Sequence, residues 1–145
     1  MSEVLQFWQP KGIEILSAPY PSSLILESVF KSRNEFELVI SDFKQNKIKL
    51  TYNKLSSADF TVWSFIFDTE DARIDLTNIG IEAPEDYNKH IPKFFKVKNS
   101  KLLAQYEGNH VFEKALDKVE VHMYITLNEI ITVVSEHEPV IVRIE

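Results

Sequence analysis

Apolar and polar residues alternate with period 2 along much of this chain, and each such run predicts a strand with one face turned to a core. Phe36, Leu38 and Ile40 alternate with Glu35, Glu37 and Ser41, and Ile48, Leu50 and Tyr52 alternate with Lys47, Lys49 and Thr51. The segment from Asp42 to Asn46 between the two runs predicts a hairpin, with Glu35 and Glu37 facing Lys47 and Lys49 across it. Further on, Val119, Val121, Met123, Ile125 and Leu127 alternate with Glu120, His122, Tyr124 and Thr126. Leu127-Asn128-Glu129 turns this run into Ile130 to Val134, and Val140, Val142 and Ile144 follow Glu136-His137-Glu138-Pro139. Three runs with such short connections predict an antiparallel meander.

The remaining segments are read from the same rules. Phe60 to Phe67 is apolar at nearly every position and predicts a strand covered on both faces, with Trp63 in the core. Asp68-Thr69-Glu70-Asp71 would then be a hairpin tip, because Ala72, Ile74 and Leu76 alternate with Arg73, Asp75 and Thr77 behind it. Ile13 to Leu16 reads as a short strand. Leu24 to Phe30 reads as a strand by alternation, although Ser22 or Ser23 could cap a two-turn helix there. Around residue 96 a strand is expected with Lys96 and Lys98 outward and Phe95 and Val97 inward. Ser100 suits the N-cap of a helix ending at Gly108, and Phe112, Ala115, Leu116 and Val119 share one helical face. The fold class is therefore α+β and predominantly antiparallel β, as a meander, sandwich or curved sheet. One or two short helices are expected near residues 100–118.

Composition narrows the class. A chain of 145 residues, 44% hydrophobic and 26% charged, suits one globular domain spanning 1–145. There is no cysteine, hence no disulfide framework, thiolate nucleophile or cysteine-held zinc. The three glycines, Gly12, Gly80 and Gly108, stand far apart, which excludes phosphate-cradling and dinucleotide loops. The first residues lack a basic segment followed by an apolar one, and no run is long enough to span a bilayer, so a cytoplasmic protein without membrane association is expected.

Charge singles out one stretch. Asp68, Glu70, Asp71, Asp75, Glu82, Glu85 and Asp86 are accompanied only by Arg73, while the rest of the chain carries 15 acids and 15 bases. The whole net charge of −6 thus sits between residues 68 and 86. These seven carboxylates are the candidate surface for a basic protein partner. Because a return strand places them at opposite ends of a sheet, they could form one patch or two. The lysines at 89, 93, 96, 98 and 101, interleaved with Phe94 and Phe95, have the make-up of a single-strand nucleic-acid site. A negative net charge argues against that use, and no nucleic acid is expected as a partner.

Catalytic candidates are sparse. The histidines at 90, 110, 122 and 137 have no zinc spacing among them, and neither a metal nor another cofactor is expected. His137, between Glu136 and Glu138, could hold a metal weakly, but a solvated turn is the commoner fate of such a trio. His122 beside Glu120 and Tyr124 could be a general base, against the commoner alternative of an exposed cross-strand contact. Trp8 either packs on the core, the commoner outcome, or anchors an interface. No Gly-x-Ser-x-Gly elbow is present.

The C-terminal third, with Lys96-Val97-Lys98-Asn99-Ser100-Lys101-Leu102-Leu103, then Val121-His122-Met123-Tyr124-Ile125-Thr126 running on to Val133-Val134-Ser135 and Glu138-Pro139, resembles small bacterial immunity proteins. Those are encoded beside polymorphic or contact-delivered toxins. The resemblance implies a non-enzymatic module that neutralises a cognate toxin, basic and for instance a nuclease, by stoichiometric binding. The alternative is a small hydrolase or ligand-binding domain using His122 or His137 with nearby carboxylates.

Overall fold

The computed structural model describes residues 2–16, 24–56, 59–69, 79–86 and 93–144. Its ten strands are β1 Val4–Phe7, β2 Leu24–Lys31, β3 Phe36–Asp42, β4 Lys47–Tyr52, β5 Ser64–Thr69, β6 Gly80–Glu82, β7 Phe94–Lys98, β8 Glu120–Ile125, β9 Glu129–Ser135 and β10 Val140–Ile144. They form a six-stranded sheet, β5-β9-β8-β7-β1-β6, and a four-stranded sheet, β10-β4-β3-β2. Among the described residues every pairing is antiparallel except β1 with β6. The expected class, antiparallel β with short helical pieces, is what the chain adopts.

The β3–β4 hairpin forms with Ile40 opposite Ile48, Leu38 opposite Leu50 and Phe36 opposite Tyr52. These six side chains are almost completely buried and face the larger sheet, where Phe94, Tyr124, Ile131 and Val133 meet them. Each such side chain withdrawn from water contributes roughly 1.5–3 kcal/mol, so this row supplies much of what holds the sheets together. The loop is tied by Asp42, whose carboxylate accepts from the backbone amides of Lys44 (2.8 Å) and Asn46 (2.9 Å). Across the hairpin Glu37 lies opposite Thr51, so its contact with Lys49, at 4.0 Å, is diagonal rather than direct.

Several expectations change. The last strand does not extend the β8–β9 hairpin: residues 136–139 cross to the other layer, and β10 pairs with β4. Ile13–Ile15 is a 3-10 turn rather than a strand. It follows Gly12, whose φ of +102° and approach to Ile141, 2.9 Å from the position of an added Cβ, leave no room for a side chain. The run from Phe60 does not become a fully covered strand. Only Ser64–Thr69 is extended, and its Phe65 and Phe67 are 39% and 51% exposed. β5 ends the six-stranded sheet among the described residues, so its side chains lack a neighbour on one flank. The two helices expected near residues 100–118 are 3-10 segments, Lys101–Tyr106 and Glu113–Ala115. Ser100 caps the first as expected, its hydroxyl accepting from the Leu102 amide. These turns pack Tyr106, Leu102, Phe112 and Leu116 with Val121, Val134 and Trp63, on the face of the six-stranded sheet opposite the other layer. That sheet is therefore covered on both sides. Among the described residues, no helix is long and apolar enough to cross a membrane.

Candidate functional site

The largest concentration of chemically capable side chains lies between the layers, at the ends of β4, β7 and β8. Phe94 is opposite Tyr124 and Lys96 opposite His122, so β7 and β8 turn Lys96, His122 and Tyr124 inward together. This reverses the orientation expected for β7: Phe94 and Lys96 face the second sheet, whereas Phe95 and Val97 pack with Leu5, Met123 and their neighbours on the far side. Lys96 can point inward because its ammonium reaches carboxylates at the rim, and its side chain stays 23% exposed.

His122 is fully buried, not the exposed cross-strand contact that the sequence suggests. Its Nε2 lies 3.0 Å from Glu120 Oε1, its Nδ1 lies 2.7 Å from the Tyr52 hydroxyl, and Tyr52 in turn touches the Tyr124 hydroxyl. The hydrogen bond with His122, then Lys96, holds the Glu120 carboxyl down at about 2 against the cost of its partial burial. An ionised carboxylate only accepts, so the Nε2 of His122 carries the proton and Nδ1 is the acceptor. Tyr52 must then donate to Nδ1 and accept from Tyr124. Burial lowers the His122 pKa despite the attraction of Glu120, which keeps the ring neutral, and burial likewise raises both tyrosines.

Trp8, the residue just after β1, closes the group, its ring stacked on His122 at 4.5 Å between centroids. Its indole N–H donates to Glu138 at 3.3 Å, and Lys96 lies over its ring at 5.3 Å. Trp8 is thus a core residue, as the commoner reading had it. Lys96 bridges Glu120 (2.9 Å) and Glu138 (3.3 Å). Partial burial pulls its ammonium down, but these two carboxylates outweigh that and raise it. Every polar atom of His122 is matched, and a substrate would have to displace Tyr52 to reach Nδ1. The histidine–carboxylate pair has the form of a general base and its orienting partner, and the geometry uses it to join the sheets.

The other candidates are dispersed. His137 points its Nε2 at the Leu55 carbonyl (3.2 Å), Glu136 accepts from the Trp63 indole (3.1 Å), and Glu138 turns to Trp8. Three adjacent residues so divergent do not chelate, and the described residues contain no cluster of metal-ligating side chains. Glu70, Asp71, Asp75 and His90 lie outside the described residues. Asp68 is part of β5, opposite Ile130, rather than in a loop. Glu82 is on β6 and pairs with Lys98 at 2.8 Å, while Glu85 and Asp86 are exposed in the turn beyond. β5 and β6 are the first and last strands of the six-stranded sheet among the described residues. Asp68 thus stands on one terminal strand, and Glu82, Glu85 and Asp86 on or just beyond the other.

Sequence reasoning missed the participation of Tyr52 and of Glu138. Tyr52 ends an alternating run and reads as one more core position, and Glu138 reads as part of a solvated turn. Compared with known proteins, the chain matches no family model, no curated protein and no solved structure.

Proposed function

We propose that this protein acts as a stoichiometric binding module for another protein, in the manner of an immunity protein that blocks a basic toxin domain. The observation that carries this reading is the placement of the phenylalanines. Five of the ten, Phe30, Phe43, Phe60, Phe65 and Phe67, are between 39% and 63% exposed. Phenylalanine is ordinarily among the most buried residues, and exposed aromatics are the preferred anchors of protein interfaces. Phe65 and Phe67 stand on the same face of one outer strand, two residues apart, and Phe65 touches Phe36 at 4.8 Å between centroids. They form the most compact docking element of the five.

The net charge of −6 supports a positively charged partner, because complementary charge raises the encounter rate even where it adds little affinity. Glu85 and Asp86, exposed beyond β6, are suited to steering, and the aromatic strand to holding. The inward use of His122 leaves a binding role the simplest reading. The test is titration calorimetry with the purified product of the adjacent reading frame. The reading requires a one-to-one complex and a loss of affinity of at least tenfold in Phe65→Ser/Phe67→Ser. No complex, or a complex indifferent to both residues, contradicts it.

A further inference from the structure

Four strands end the two sheets among the described residues, β5 and β6 in the larger and β10 and β2 in the smaller. A terminal strand presents backbone amides and carbonyls that can pair with another chain, and proteins ordinarily guard such edges with short length, bulges or charge. Three of these four are guarded. β6 has three residues, and its Glu82 is paired with Lys98. β2 is interrupted by a register shift between Leu26 and Ser28 and carries exposed Glu27 and Lys31. β10 carries Arg143, which is held to Asn46 at 3.0 Å. β5 has none of these devices from Ser64 to Phe67. Those residues are uncharged and in unbroken register with β9, the only strand they pair with among the described residues.

This edge complements itself. We propose that β5 pairs antiparallel with the β5 of a second copy of this chain, about a two-fold axis at Ile66. Directly opposite residues of an antiparallel pair share a face, so Ile66 meets the second copy's Ile66 and each Phe65 meets a Phe67. The result is two cross-strand aromatic pairs, a kind of contact that favours one register over its neighbours. Asp68 falls opposite Ser64. The two Asp68 carboxylates stand four residues apart along the pair, roughly 14 Å, beyond the screening length of about 8 Å. Shifting the axis to Phe65 or to Phe67 would set Asp68 against Val62 or Ile66, an apolar residue in either case.

A strand edge alone is smaller than the roughly 800 Å² per partner of a specific interface. Here the second layer widens it. Lys31 of β2 lies opposite Phe36, which touches Phe65, so the exposed Val29 and Phe30 stand on the same flank as β5. An isologous pairing brings this flank of one copy against the same flank of the other. Phe65 and Phe67 are the residues assigned above to a partner protein, so self-pairing and partner binding exclude each other. The self-pairing does not rest on that reading, and its test includes no partner.

The chain has no cysteine, which makes the register directly readable by cross-linking the full chain under mild oxidation. Ile66→Cys should give a disulfide-linked dimer, because directly opposite residues have Cα atoms about 4.5–5.5 Å apart, within disulfide reach. Phe65→Cys and Phe67→Cys should each stay monomeric alone, their counterparts being diagonal neighbours about 7–8 Å away, and should cross-link to each other when mixed. Sedimentation equilibrium of the unsubstituted chain should show a monomer–dimer equilibrium. Phe67→Lys, at an exposed position, should weaken it at least about tenfold with the circular dichroism unchanged. If that variant does not fold, the cysteine pattern decides alone. A chain that stays monomeric up to about 1 mM overturns the proposal. So does a dimer indifferent to Phe67→Lys, or cross-linking of Phe65→Cys or Phe67→Cys alone as efficient as that of Ile66→Cys.

Discussion

The two faces of β8 and β9 treat polar side chains in opposite ways. Toward the second sheet, His122 and Tyr124 of β8 meet Tyr52, Glu120, Lys96 and Trp8, and the hydrogen-bonding groups of the histidine are all taken. Toward the 3-10 turns, Met123 of the same strand lies opposite Thr132, whose hydroxyl is left without a partner among the described residues. A satisfied network rigidifies and is costly to cut, whereas an orphan group is costly to keep. The lesson is that the chemistry a strand carries does not mark the face where it acts. The chemically rich face is closed and joins the layers, and the nearly apolar face borders a cavity of about 300 Å³.

Substitution should make this contrast measurable, with stability read from urea unfolding followed by tryptophan fluorescence. The largest effect is expected from His122→Ala, which opens a cavity beneath Trp8, strands the Tyr52 hydroxyl and leaves Glu120 with Lys96 but without the imidazole. The loss should be about 3–5 kcal/mol. Tyr52→Phe keeps the packing but removes the donor to Nδ1 and the acceptor for Tyr124, for a loss of about 1–3 kcal/mol. On the cavity side the sign should change. Thr132→Val removes an orphan hydroxyl at nearly constant volume and should be neutral or stabilising by up to about 1 kcal/mol. A loss from Thr132→Val as large as that from Tyr52→Phe would erase the distinction between the faces.

Acid should act on the network in a defined direction. His122 is lowered from its ordinary value of 6.5, and Glu120 is lowered from 4.5 to about 2. In both cases the unfolded chain takes up protons first, so the stabilisation is complete above pH 6.5 and is lost progressively as pH falls. His122→Gln should remove the part of that loss that begins near pH 6.5. The smallest effect is expected from Glu82→Gln, which breaks the exposed pair with Lys98 and should change stability by no more than about 0.5 kcal/mol.

How much of this was legible in the sequence follows from the same contrast. Period 2 located β2, β3, β4, β7, β8 and β10, because each of these strands has an alternation to read, and β9 was placed as the apolar run after a turn. It could not assign the faces of β7 and β8. Both sides of the six-stranded sheet are covered, so polarity no longer separates inside from outside, and Lys96 entered the core with its stem buried and its ammonium at the rim. β1 and β6 were missed because strands of four and three residues carry too little periodicity. The change of layer at residues 136–139 has no local signature, since a short loop suits a hairpin equally well. Of the candidate site, His122 and its neighbour Glu120 were visible as a pair two residues apart. Tyr52, 70 positions away from His122, entered only through the register of the stacked sheets.

The ¹⁵N chemical shifts of the His122 imidazole across a pH titration of the folded protein show most plainly whether it is a neutral strut between sheets or an accessible base. A proton on Nε2, an unprotonated Nδ1 and a ring that stays neutral through pH 6.5 are expected. A ring that titrates at its ordinary value, with its proton exchanging freely with water, would contradict this.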